Sequence, residues 1–213
     1  MQHCINYAAF YKSLCIKREI LDVIALTDEE FQSLVNLDLS GNNRLGQVRD
    51  VFCFSCTTGL RYSDLALLKR ENIKGDEIKI TVKKTKQTLT IPLTNYSQAV
   101  LDKYKKVYRP IPVISNQKMN DYLKELCKEA GIDTPIEVVR FQGAKRIADI
   151  YPKYELISVH TGRKTFATLS LERGMSAEEV MTITGHKDYK SFKRYVKITE
   201  QRKKLVMGKA WGR

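Results

Sequence analysis

At Ile73 the hydrophobic pattern of this chain changes period, and that change constrains its fold more than any other feature. From there KGDEIKITVKKTKQTLTIPL alternates over two short β-branched runs, EIKITV and TLTIPL, joined by the polar segment KKTKQ. Strict alternation puts residues i and i+2 on one face of a strand, whereas helices repeat every 3.6 residues. The two runs therefore read as a small antiparallel hairpin, with Gly75 and Asp76 marking the turn into it. Most of the remaining pattern is helical. The expected fold class is α+β, mainly α: a helical domain carrying a small antiparallel sheet.

The helices announce their ends. In LTDEEFQSLVNL, Thr27 with Glu30 three residues on forms a capping box, so a helix starts there. SGNNRLG is a loop by its Gly and Asn content, after which Val48, Val51, Phe52 and Cys56 carry a helix to a TTG break. SDLALLKRENI predicts another helix, capped by Ser63 or Asp64. Further helices are expected at NYSQAVLDKYKKV and NQKMNDYLKELCKEAG, the second stopped by Gly131 in the left-handed position. IEVVRF and YELIS, around QGAKRIADIYPK, suggest a second hairpin over 136–157. The last third predicts three helices: GRKTFATLSLERG, SAEEVMTITG with a capping box from Ser176 and Glu179 after the Gly174 stop, and KSFKRYVKITEQRKKLVM.

A chain of 213 residues fits one large domain with a short appendage. No run approaches the roughly 18 apolar residues of a membrane span, and the first thirty residues lack a signal-peptide apolar region. The expectation is a cytoplasmic protein with no membrane partner. Lys and Arg number 37 against 24 acids, a net charge of +13 spread along the chain. Such a balance on a folded domain points to a polyanionic partner, with nucleic acid foremost. Five cysteines and no secretory signal imply reduced thiols. Cys53 and Cys56 share one face of an apolar helix and read as small buried hydrophobes; no metal site is expected, since a structural zinc needs four ligands.

Against this background one set of polar residues stands out. HTGRKTF holds His160 and Arg163 one helical turn apart, and His186 and Tyr195 follow in ITGHKDYKSFKRYV. Phosphoryl transfer needs cations for the non-bridging oxygens, an in-line nucleophile and an acid for the leaving oxygen. The guanidinium fork of Arg163 or Arg61 suits the first task. Asp64, three residues after Arg61, is placed to hold that guanidinium. A tyrosine phenol ordinarily ionises only near pH ~10, so it needs cations or a base to help it do so at neutral pH. Attack by its oxygen would leave a phosphotyrosyl ester. A lysine at the hairpin tip, such as Lys84, can protonate a leaving 5′-oxygen, although KKTK offers three lysines. Each element alone is commonplace; their joint order carries the reading.

In that order the residues resemble the tyrosine recombinases, the phage integrase family, over about residues 26–205. TTGLRYSDLALL resembles the family's first arginine box, with Arg61 and its acidic follower Asp64. VKKTKQTLTIPL resembles the β-hairpin lysine motif, and counting back eight from Pro92 selects Lys84. SVHTGRKTFAT looks like the second box, with His160 and Arg163, and ITGHKDYKSFKRYV like the third, with His186 and the nucleophile Tyr195. The resemblance implies a mostly helical catalytic domain, no metal or other cofactor, and 3′-phosphotyrosine chemistry on double-stranded DNA. It implies a tetramer on paired attachment sites, with a monomer possible away from DNA. YELISVHTGRKTFAT looks most like integrases of conjugative or mobilizable transposons.

Family members carry a helical core-binding domain ahead of the catalytic one. Residues 1–25 read as a linker or remnant and 26–213 as the catalytic domain, with the core-binding domain absent and DNA affinity correspondingly weak. In this family the final segment often packs onto a neighbouring protomer, so without DNA two arrangements of Tyr195 stay open: docked beside Arg61 and Arg163, or held away from them. Two rival readings use fewer of these residues. A non-enzymatic helix-turn-helix regulator would use KSFKRYV as a recognition helix but has no role for Arg61 or Lys84. A type IB topoisomerase would share the tyrosine chemistry but resembles GHKDYKSFKRY less.

Overall fold

The computed structural model describes residues 23–82, 86–142, 145–196, 207–208 and 211–212, without the side chains of 140–142 and 145. The expected N-terminal linker lies outside these residues up to position 22, as do Lys84 and the stretch 197–206.

Helix α1 (Asp28–Asn36) starts as its sequence dictates. The Thr27 hydroxyl accepts from the Glu30 N–H, and the Glu30 carboxylate accepts from the Thr27 N–H at 2.8 Å. Helix α2 (Asn43–Thr58) follows, capped by the Asn42 side chain and ended by Gly59 at φ +68°. It is buried on nearly every side: Leu45, Val48, Val51, Phe52, Cys53, Phe54 and Cys56 all lie inside the core. A helix with apolar residues all round belongs at the centre of a bundle, and α2 takes that place. Its cysteines pack as small hydrophobes, and burial pushes the Cys53 thiol up to about 12.

Helix α3 (Tyr62–Ala66) is shorter than expected, and its N-cap is Arg61 with no side-chain cap, not Ser63 or Asp64. The sequence offers capping side chains one turn too late, because the chain must leave Gly59 and turn into the helix immediately. The three-stranded antiparallel sheet runs β1 (Ile73–Lys74), β2 (Glu77–Thr81), β3 (Thr88–Pro92). Ile78 pairs with Ile91 and Ile80 with Leu89, so all four point into the core while Lys79 and Thr90 face out. Gly75 and Asp76 turn β1 into β2, adding a short strand to the expected hairpin.

Helices α4 (Asn95–Lys103) and α5 (Asn116–Glu129) flank α2, and Gly131 stops α5 at φ +73°. The second hairpin pairs β4 (Pro135–Gln142) with β5 (Lys145–Pro152). Its second strand is therefore KRIADIYP, and the YEL expected as strand is instead part of the short helix α6 (Lys153–Leu156). The alternation along RIADIY is blurred because this hairpin pairs with no other described strand; Ile150 is exposed.

Helix α7 (Val159–Glu172) packs along α2, and α8 (Ala177–Thr184) begins with the Ser176–Glu179 capping box. Helix α9 (Tyr189–Phe192) ends in a 3-10 turn over Lys193–Tyr195. The expected long helix from Lys190 is thus interrupted at the tyrosine. Val196 leaves helical geometry at ψ 62°, and both Phe192 and Tyr195 turn inward to be buried. The observed class is helical with small antiparallel sheets, as expected.

Candidate active site

Arg163 lies at the centre of the site. It sits on α7 with 2% of its surface exposed. Nη1 donates to the Gly59 carbonyl oxygen at 2.7 Å and Nη2 to the Thr184 carbonyl oxygen at 2.5 Å. These acceptors are backbone carbonyls at the C-terminal ends of α2 and α8, where carbonyls lack helical partners and the dipole favours a cation. Burial and Arg61 pull its pKa down to about 10, and Tyr195 and Asp64 push the other way. Arg163 is therefore a cation at neutral pH.

Arg61 caps α3 beside it. Its Nη1 lies 3.9 Å from Asp64 Oδ2, and the same nitrogen is buried without a hydrogen-bond partner among the described residues. Buried donors are normally satisfied. A guanidinium nitrogen left open at 3.9 Å from its counter-ion can accept a further anion.

His186 follows Gly185, which ends α8 at φ +65° with β3 residue Leu89 packed against it. Its Nδ1 is 2.7 Å from the Thr184 hydroxyl, and both ring nitrogens lie 3.4 Å from Arg163 Nη2. Tyr195 packs against it with ring centroids 5.7 Å apart, and Phe192 touches both rings at 5.2 Å and 5.5 Å. The tyrosine is buried against the histidine, the docked of the two arrangements the sequence left open. The aromatic trio supplies the reason: Phe192 is fully buried and anchors the turn that carries Tyr195.

His160 opens α7 one turn before Arg163, with its residue surface exposed. Crowding by protein, then the cations Lys164, Arg163, Arg61 and Arg194, lower its pKa to about 4. Burial, then Arg163, Arg61 and His160, likewise lower His186 to about 4. Both imidazoles are neutral at pH 7 and able to accept a proton. Arg61, Asp64, His160, Arg163, His186 and Tyr195 thus share one neighbourhood; Lys84 lies outside the described residues.

Sequence reasoning missed several residues. Thr184 contacts both Arg163 and His186, but a threonine before Gly-His carries no distinctive signal. Arg194 stands over the Tyr195 ring at 5.9 Å, and Lys164 is half-buried with its pKa lowered by burial and by Arg194. Their adjacency to Tyr195 and Arg163 was the available clue. Gly162 lets α7 approach α2, since a Cβ there would lie 2.8 Å from Ser55 Oγ.

A helical core with a buried arginine, two neutral histidines and a packed tyrosine defines a candidate for phosphoryl transfer. Comparison with known proteins places it more closely. The phage integrase family model matches residues 25–202, and the chain belongs to that family. It is 26% identical over 179 residues to tyrosine recombinase XerA of Saccharolobus solfataricus, covering 83% of this chain and 53% of the relative. It is 31% identical over 160 residues to tyrosine recombinase XerC of Pelotomaculum thermopropionicum, covering 71% and 50%. The chain spans about half the length of these relatives. Among solved structures, XerA recombinase superposes with a TM-score of 0.64 at 18% identity, over 96% of this chain and 73% of that one. The Tn1549 transposon integrase (residues 82–397) in complex with circular intermediate DNA gives 0.59 at 14%, over 92% and 68%. These two likenesses are likenesses of fold.

Proposed function

We propose that this chain is a site-specific recombinase that cleaves and rejoins double-stranded DNA through a 3′-phosphotyrosyl intermediate on Tyr195. The observation that carries the reading is the open, buried Nη1 of Arg61 in the same cluster as Arg163, His186 and the packed tyrosine. In the proposed step the Tyr195 oxygen attacks phosphorus and the bond to the 5′-oxygen breaks. The phenol proton passes to a neutral imidazole, and the leaving oxygen takes a proton from an acid. Lys84 is the candidate acid by its motif alone. Arg61 and Arg163 neutralise the non-bridging oxygens; Nη1 of Arg163 carries two hydrogens, so its bond to the Gly59 carbonyl leaves one free. Asp64 orients Arg61. No cofactor enters the scheme, because nucleophile, base, acid and cations are side chains.

On this reading residues 26–213 form the catalytic unit, the partner is double-stranded DNA at attachment sites, and the acting species is a tetramer. Integration or excision of a mobile element fits the transposon integrase likeness, and the cytoplasm is where such DNA is met. Among the described residues no helix is long and apolar enough to cross a membrane. The regulator reading fits less well: KSFKRYV breaks after Phe192 and buries Phe192 and Tyr195, so it presents no continuous recognition helix.

A nicked suicide duplex carrying the chain's DNA site tests the proposal. A covalent protein–DNA adduct should survive denaturant and vanish in Tyr195→Phe. An adduct that persists in the Phe variant overturns the nucleophile assignment.

A further inference from the structure

Thr184 is fully buried at the end of α8, and each of its two oxygens contacts a different side chain of the site. Its carbonyl oxygen accepts from Arg163 Nη2 at 2.5 Å. Its hydroxyl lies 2.6 Å from the Val180 carbonyl oxygen and 2.7 Å from His186 Nδ1. A hydroxyl has one hydrogen to give and lone pairs to receive. A carbonyl oxygen only accepts, so at that separation the threonine hydrogen must go to Val180. The contact with His186 then closes in one way only: Nδ1 carries a hydrogen and donates it to the threonine oxygen. In a neutral ring Nε2 is left bare. Arg163 Nη2 is 3.4 Å from each ring nitrogen, and of the two only Nε2 has a lone pair to offer it.

We propose that Thr184 is a positioning residue that locks His186 in the tautomer protonated at Nδ1, so that its one lone pair, on Nε2, is presented to Arg163 Nη2. The same residue ties the arginine through its backbone, so one buried threonine sets both the cation and the direction of the imidazole lone pair. Hydrogen bonds to one ring nitrogen fix the role of the other in this way in metal sites and catalytic triads alike. The catalytic consequence rests on the recombinase reading above; the tautomer itself is a property of the DNA-free protein and is measured there.

The test is a long-range proton–nitrogen correlation spectrum of nitrogen-15 histidine-labelled protein at pH 7. With three histidines in the chain, His160→Asn and His3→Asn assign the signals of His186 by elimination. The expected pattern is a protonated, pyrrole-like Nδ1 and a bare, pyridine-like Nε2. Thr184→Ser keeps the hydroxyl and should keep the pattern. Thr184→Val keeps the shape, loses the hydroxyl, and should move His186 toward the other tautomer or a mixture. Adduct formation should stay within about 3-fold in the serine variant and fall by about 10-fold or more in the valine variant, less than the roughly 10²–10⁴-fold of losing a proton-transfer group outright, because the imidazole is still present. A bare Nδ1 in the unsubstituted protein overturns the proposal, as does an unchanged tautomer in a folded Thr184→Val. If the valine variant does not fold, the unsubstituted protein and the serine variant decide. Absence of any adduct from the unsubstituted protein would remove the recombinase reading and leave the tautomer result standing.

Discussion

Arg163 donates from Nη1 to the carbonyl oxygen of Gly59, a bond of 2.7 Å between residues 104 apart in sequence. It joins α7 to the left-handed end of α2 and sets Arg163 beside Arg61, which follows that end by two residues. The two arginines therefore share one support. Whatever disturbs the α2–α7 crossing disturbs both cations together.

The first prediction concerns that support. Lysine has a point charge and no planar fork, so Arg163→Lys cannot reach the Gly59 and Thr184 carbonyls together and still face a phosphate. Losing one preorganised donor in such a site costs about 10²–10³ in rate, and adduct formation on the suicide duplex should fall at least that far. Arg163→Ala should in addition leave two carbonyl acceptors short of their partner and lower stability by about 2–4 kcal/mol. A lysine variant within a few-fold of the parent rate would show that the fork is not used.

A second prediction follows from the glycines at this crossing. A Cβ on Gly59 would lie 2.7 Å from Phe166 Cδ1 and 2.9 Å from Thr184 Cγ2, at a φ of +68° that disfavours any side chain. One on Gly162 would lie 2.8 Å from Ser55 Oγ and 2.9 Å from Ser55 Cβ. Gly59→Ala combines left-handed strain of about 1 kcal/mol with overpacking of about 1–3 kcal/mol, so a loss of about 2–4 kcal/mol is expected from denaturant midpoints. Gly162→Ala lacks the backbone strain and should lose less. Ser55→Gly has its own cost, a glycine inside α2 and the lost bond to the Leu60 carbonyl, so the steric part is read from the cycle of both single variants and the double; additivity within about 0.3 kcal/mol would rule the contact out.

The difference between what sequence reasoning located and what it missed has a physical pattern. Boundaries written by local chemistry came through: the Thr27–Glu30 and Ser176–Glu179 boxes, the Gly131 and Gly174 stops, the paired Ile78–Ile91 strands. Boundaries set by tertiary demand did not. The start of α3 moved to Arg61 because the chain turns at Gly59, and the helix carrying Tyr195 broke because Phe192 and Tyr195 find partners inside. The strand KRIADIYP was obscured because an unattached hairpin need not alternate cleanly. At the site, side chains with strong ionic character were legible by order and spacing. Thr184 was not, since its role lies in which hydrogen goes where, and that is visible only once Val180 and His186 stand on either side of it.

The third prediction concerns acid. His160 and His186, both lowered to about 4, titrate below the ordinary histidine value of 6.5. Between these limits the unfolded chain binds more protons than the folded one, so stability rises with pH there. It should be complete above about pH 6.5 and decline progressively as pH falls toward 4. Ring C–H shifts of both residues should still report neutral imidazole at about pH 5.5, well above both lowered values. A midpoint near 6.5 for either would mean that the cations around it are not felt.

The last prediction tests what anchors the second hairpin to the body. Lys153, the first residue after β5, places Nζ 2.6 Å from Glu30 Oε2, with side-chain exposures of 9% and 15%. That carboxylate oxygen also accepts from the Thr27 N–H in the α1 capping box. Removing one member of a mostly buried pair leaves the other charge poorly solvated, so Lys153→Met should cost about 2–4 kcal/mol. Glu30→Gln removes the charge yet keeps an acceptor for the cap, because glutamine serves in capping boxes as glutamate does. The double variant should therefore recover much of the loss, with a coupling energy of about 1 kcal/mol or more from the four denaturation curves. Additivity within about 0.3 kcal/mol would mean that the pair contributes nothing beyond its separate parts. Hydrogen exchange of the β4–β5 amides should speed up in Lys153→Met more than in Glu30→Gln, since the glutamine still offers Lys153 an amide oxygen at the hairpin's base.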